Sequence, residues 1–131
     1  MTLFSKIIAG EIPSYKILED EYFYAFLDVF PLVEGHVLIV PKNETNKFFD
    51  LPDTYLQKIL MFAKPIAAAI EKSFPCNRCG ISVVGLEVPH AHLHLMPINS
   101  ANDINFTNEK MKATPELLAL VQSKIVAALS L

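Results

Sequence analysis

Apolar residues change their period several times along the chain, and each change marks an element. Residues 3–9 (LFSKIIA) carry Phe4, Ile7 and Ile8 at helical spacing, and Gly10 ends the run, which predicts a short helix. Ile12-Pro13 then imposes extended chain. Residues 15–19 (YKILE) and 22–27 (YFYAFL) are rich in β-branched and aromatic residues and are split by Asp20-Glu21, the pattern of a hairpin. Residues 29–35 read as a loop with Pro31 and Gly35, and 36–40 (HVLIV) as a short strand closed by Pro41. Such short connections favour an antiparallel meander.

The longest periodic segment covers residues 53–74. Leu56, Ile59, Leu60, Ala63, Ile66, Ala67 and Ile70 recur at helical spacing, and Asp53 stands where an N-cap is expected. Pro65 falls inside this run and predicts a kink near residues 61–65, or a split, at a cost of about 3 kcal/mol unless packing offsets it. Residues 79–85 (CGISVVG) and 90–96 (HAHLHLM) read as two further strands joined at 86–89, and 99–113 as loop. Thr114 as N-cap and Pro115 at the first helical position start a C-terminal helix, striped by Leu117, Leu118, Val121, Ile125 and Leu129. The expected fold is α+β: an antiparallel sheet of about five strands, a main helix over 53–74 and a helical extension from about residue 114.

Composition narrows this. The chain of 131 residues is of one-domain size, so a single domain over residues 1–131 is expected. At 52% hydrophobic and 19% charged it has ample material for a core. No apolar run approaches the length of a membrane span, so no membrane partner is expected. The formal charge is −3 and lysines and arginines are scattered singly, which argues against a nucleic-acid polymer as partner and still allows a small anion. MTLFSKIIAGEIP lacks a basic stretch followed by an apolar one, and two cysteines make no disulfide scaffold, so a cytoplasmic location is expected.

Of the four histidines, three are His90, His92 and His94. Strand side chains alternate faces, so these three share one face while Ala91, Leu93 and Leu95 take the other. A single strand histidine is commonly structural; three in strict alternation form a row that a small ligand can share. Two chemistries fit. A metal could take two of them, but the outer pair of a straight strand lies about 13 Å apart, so His36 or a carboxylate would have to complete the site. Alternatively, a neutral imidazole can attack phosphorus in a double displacement, with flanking imidazoles donating hydrogen bonds to the phosphate oxygens.

The run His90-Ala91-His92-Leu93-His94-Leu95-Met96 resembles the H-φ-H-φ-H-φ-φ motif of the histidine triad superfamily of nucleotide hydrolases and transferases. Three further stretches resemble its Hint branch in the same order. Phe4 to Pro13 (FSKIIAGEIP) is similar to F-x-K-I-I-x-x-E-I-P, Ala25 to Pro31 (AFLDVFP) to A-F-x-D-I-x-P, and His36 to Lys42 (HVLIVPK) to H-x-L-V-I-P-K. The resemblance covers residues 3–97 and little of 98–131.

It implies a homodimer that binds purine mononucleotides and cleaves nucleoside phosphoramidates, dinucleoside polyphosphates or related nucleotidyl compounds, with no cofactor and no metal at the histidines. His92 matches the nucleophile that forms a nucleotidyl-histidine. His94 matches the residue on the α-phosphate and leaving-group side, His90 a supporting hydrogen-bonding residue, and His36 the fourth histidine of the pocket. Asp28 matches the acidic residue on the ribose hydroxyls. Leu3, Phe4, Ile7, Ile12, Phe26 and Val29 match the apolar wall around the base. Glu87 and Val88, just before the triad, complete the expected nucleotide-binding set.

Three departures stand out. Where the branch carries Gly-Gln, often followed by Ser or Thr, this chain has Gly85-Leu86-Glu87-Val88-Pro89, which sets a carboxylate where a neutral polar group serves the phosphate. The polar loop before the triad strand reads as shortened, with Val83-Val84-Gly85 leading almost directly into it. Thr2 and Ser5 stand where many bacterial relatives place a zinc-binding C-x-x-C. Cys76-Asn77-Arg78-Cys79 is a C-x-x-C elsewhere and reads as a loop feature.

Overall fold

A computed structural model describes residues 1–130. Helix α1 (Leu3–Ile8) leads into strands β1 (Lys16–Glu19), β2 (Phe23–Leu27) and β3 (Val37–Pro41). Helix α2 (Asp53–Ser73), strands β4 (Arg78–Ser82) and β5 (Leu93–Ile98) and helix α3 (Pro115–Ala128) follow. The five strands form one antiparallel sheet in the order β1-β2-β3-β5-β4. The meander therefore holds for β1 to β3 and then breaks. After α2 the chain returns at the far edge as β4, and β5 fills the gap beside β3.

All five residues of β2 and all five of β3 are buried, which explains why neither alternates polar and apolar. Phe23, Ala25, Leu27, Val37 and Ile39 face a core built with Ile59, Phe62, Ile66 and Ile70 of α2 and Leu118, Val121 and Ile125 of α3. Tyr24, Phe26, Leu38 and Val40 face the opposite way and pack with Phe4 and Ile7 of α1. The sheet thus has a thick core on one side and a thin aromatic layer on the other.

Several local expectations are corrected. Pro65 does not split the main helix, which runs unbroken over Asp53–Ser73 with Phe74 already extended. The carbonyl that Pro65 leaves without a partner is that of Met61, a residue 68% exposed, so water can reach that face of the helix. Asp53 is not the N-cap; Pro52 takes that position with no side-chain cap, its carbonyl accepting from the Tyr55 and Leu56 amides, and Asp53 sits inside the first turn. The triad strand begins at Leu93, so His90 and His92 lie in the lead-in rather than in the ladder. Pro89 has no amide to donate, and the His90 amide bonds locally to the Val88 carbonyl. The connection before it is not short: residues 83–92 separate β4 from β5. Thr114 does cap α3, accepting from the Leu117 amide with Pro115 in the first turn.

Candidate active site

The four histidines meet on the thin side of the sheet, and each is at most 6% exposed. His94 lies on β5 between Leu38 of β3 and Ser82 of β4. His36 immediately precedes β3, and its ring packs against His94 at 5.1 Å between centroids. His92 lies 5.0 Å from His94 on the other side, Phe4 lies 5.1 Å from His92, and Phe106 lies 4.6 Å from His94. The rings therefore run in one row: Phe4, His92, His94, Phe106.

Hydrogen bonding fixes which nitrogen of each imidazole carries its proton. The Leu32 amide can only donate, and it lies 3.1 Å from His36 Nδ1. Neutral His36 therefore carries its proton on Nε2 and donates to His94 Nδ1 at 2.9 Å. His94 in turn is protonated on Nε2. At His92 the polarity is reversed: Nδ1 lies 2.8 Å from the His90 carbonyl, which can only accept. His92 Nδ1 donates, and Nε2 is left with its lone pair free. His90 uses both nitrogens structurally, Nε2 donating to the Pro41 carbonyl at 2.8 Å and Nδ1 lying 2.7 Å from the Thr2 hydroxyl. Thr2 also caps α1 by accepting from the Ser5 amide, and Glu44 accepts from the Thr2 amide and the Ser5 hydroxyl.

Electrostatics keep the inner rings neutral. Burial is the main cause that pushes His36 and His94 down to about 3, helped by neighbouring histidines and the Lys110 charge. Burial likewise lowers His92. An imidazole held neutral at pH 7 keeps the lone pair that nucleophilic attack requires. Asp28 is raised by burial, and its carboxylate accepts from the Phe30 amide and lies 3.7 Å from His36 Nε2. Asp28, His36 and His94 offer ligand atoms within 4.8 Å of one another. His36 Nε2 and His94 Nδ1 already share a proton, so an ion bound by those two atoms would have to displace it.

His92 and His94 line a cavity of about 550 Å³, large enough for a mononucleotide. Leu3, Phe4, Ile7, Ile12, Phe26, Asp28, Val29, Glu87 and Val88 all lie on its wall. His36 and His90 do not; they sit behind it and act on the cavity through His94 and His92. Glu87 is 81% exposed at the side chain, with Lys110 Nζ at 3.9 Å. Phe106, Thr107 and Lys110 also line the cavity and were not expected from the sequence, which read 99–113 as plain loop. The available signal was a lone aromatic, Phe106, in an otherwise polar stretch. Cys76 and Cys79 are free thiols raised by burial, Cys79 to about 12, and neither lines the cavity. A thiol held that high is a poor nucleophile. The reading of this C-x-x-C as a loop feature is corrected in part: Cys76 precedes β4, but Cys79 lies within it, opposite Pro97 of β5.

Comparison with known proteins places this geometry. The HIT domain family model matches residues 9–101. An adenosine 5′-monophosphoramidase of Saccharomyces cerevisiae is 42% identical over 96 residues, an alignment covering 72% of this chain and 61% of that protein. The chain thus spans less than two thirds of that relative's length. A HIT-like protein of Borreliella burgdorferi is 33% identical over 125 residues, covering 84% of this chain and 90% of that one. Among solved structures, a Hit-like protein of Bartonella henselae superposes with a TM-score of 0.84 at 28% identity, over 98% of this chain and 96% of that chain. No helix among the described residues is long and apolar enough to cross a membrane. With the α+β fold, the histidine row and these matches in agreement, the chain belongs to the HIT domain family.

Proposed function

We propose that this protein is a nucleotide-binding hydrolase that cleaves purine nucleoside phosphoramidates or dinucleoside polyphosphates through a covalent intermediate on His92. The observation that carries the reading is the His92 tautomer. Its Nδ1 proton is committed to the His90 carbonyl, so the Nε2 lone pair is free, and the ring lines a cavity of nucleotide size. The base would pack among Leu3, Phe4, Ile7, Ile12 and Phe26, and Asp28 would accept from the ribose hydroxyls. His92 Nε2 attacks the α-phosphorus while the bond to the leaving group breaks. The electron pair goes to the leaving atom, and an amine leaving group takes up a proton from water. His94 Nε2–H donates to a phosphate oxygen and stabilises its growing charge. Water then attacks phosphorus and gives up a proton to solvent, replacing the one the leaving amine took; the His92–phosphorus bond breaks, and its electron pair returns to Nε2 as the lone pair.

The name carried by the yeast relative supports the phosphoramidate substrate. The resemblance also supports a homodimer, and β4 is an edge strand with an exposed Ile81 that a second copy would cover. The test is turnover of adenosine 5′-phosphoramidate by the wild type and by His92→Ala, with intact-mass detection of the nucleotidyl adduct. Loss of turnover and adduct together is expected. Equal turnover in the two proteins would remove the mechanism, and tight binding of AMP with no turnover would reduce the protein to a binding module. A monomer by light scattering at micromolar concentration would contradict the dimer.

A further inference from the structure

The cavity wall is poor in positive charge. Lys110 is the one lysine or arginine on it, against two carboxylates, Asp28 and Glu87. With the inner histidines neutral, the wall without Lys110 would be negative, and a phosphate entering it would meet like charge.

The place of Lys110 is as informative as its charge. Phe4 closes one end of the ring row, beside Phe26 at 5.7 Å, and Phe106 closes the other end beside His94. Lys110 follows Phe106 on the same loop. The Met111 amide donates to the Pro31 carbonyl at 2.8 Å, which ties this loop to the one that carries Asp28 and Phe30. A nucleotide with its base against Phe4 and Phe26 and its α-phosphate at His92 extends its leaving group toward the Phe106 end. Glu87 now holds Lys110 only loosely, at 3.9 Å and with its own side chain 81% exposed, so an incoming anion can displace it.

We propose that Lys110 is a specificity residue that receives the negative charge of the leaving group, with Glu87 as its resting partner. The inference rests on the hydrolase reading above and narrows it. Leaving groups that depart as anions, such as a nucleotide phosphate, gain from this contact; a neutral amine gains little. When a phosphorus–oxygen bond breaks, its electron pair stays on the departing oxygen, and Lys110 neutralises that charge without giving up a proton. Glu87, on the same wall, opposes anionic leaving groups and competes with them for Lys110.

The experiment compares diadenosine triphosphate with adenosine 5′-phosphoramidate as substrates for the wild type, Lys110→Met, Lys110→Arg and Glu87→Gln. Lys110→Met should lower kcat/KM for the triphosphate at least about tenfold and for the phosphoramidate less than about threefold. Lys110→Arg should recover most of the loss, and Glu87→Gln should raise kcat/KM for the triphosphate. Equal losses on both substrates, no loss on either, or a wild type that cleaves only the phosphoramidate would overturn the role of Lys110. Those outcomes are separable from failure of the hydrolase reading, which shows as turnover indifferent to His92→Ala. Both positions are partly or fully exposed, and thermal unfolding of each variant confirms that the fold is intact.

Discussion

Acidification should destabilise this fold steeply, and the histidines say by how much. His36 and His94 fall from the ordinary 6.5 to about 3 in the folded protein. Between those values the unfolded chain takes up a proton at each position and the folded chain does not. The stability that depends on their neutrality is therefore complete above pH 6.5 and is lost as pH falls toward 3. From pH 7.5 to 5.0 the loss is about 2 kcal/mol for each ring and about 4 kcal/mol for the pair. His92, lowered by burial, adds in the same direction. Asp28, raised by burial, binds its proton more readily when folded and returns part of the loss. Equilibrium urea unfolding followed by circular dichroism measures the result. The midpoint should drop by about 2 M urea between pH 7.5 and 5.0. In His94→Gln about half of that pH dependence should disappear. A wild-type midpoint that moves by less than about 0.5 M would show that the buried rings titrate near their ordinary range, and the argument for neutral, tautomer-fixed imidazoles would fail with it.

Two further changes probe the frame around the site. Gly35 has a φ of +94°, and an added Cβ would sit 2.7 Å from the buried Phe74 ring, whereas Gly10, at +81°, has open space around it. Gly35→Ala should therefore cost about 2–4 kcal/mol and Gly10→Ala about 1 kcal/mol, read as the difference in thermal midpoint. Thr2→Ala removes the cap of α1 and the hydroxyl beside His90, and should cost about 1 kcal/mol in urea unfolding, while Thr2→Ser stays within about 0.5 kcal/mol.

The histidine row was legible in part, because it obeys a period of two: His94 and His92 both reach the cavity, while Leu93 and Leu95 turn to the thick core. His90 departs from that period, lying at a bend behind the cavity wall. The order of the strands was not, since β5 inserts beside β3 through contacts far apart in sequence. Nor was the proton arrangement. Thr2 and His90 are 88 residues apart, and His36 and His94 58, so nothing local announces either bond. Phe106 and Lys110 belong to a loop with no repeating pattern, placed by one backbone bond from Met111 to Pro31. Asp53 misled because Pro52, fixed in φ, already supplied the start of α2.

The sheet and loops around the cavity divide it into a floor and a roof. Leu38 and His94 belong to central strands with ladder partners on both sides, packed against the thick core from behind. Val84 to Val88 and Phe106 to Lys110 belong to connections outside the ladder. Opening the roof breaks few hydrogen bonds, and opening the floor means unfolding the domain, so the two lie at opposite ends of the molecule's scale of local stability. Ligands can then enter and leave by movement of the roof alone, while the proton shared between His36 and His94, held at the floor, stays in place through every cycle.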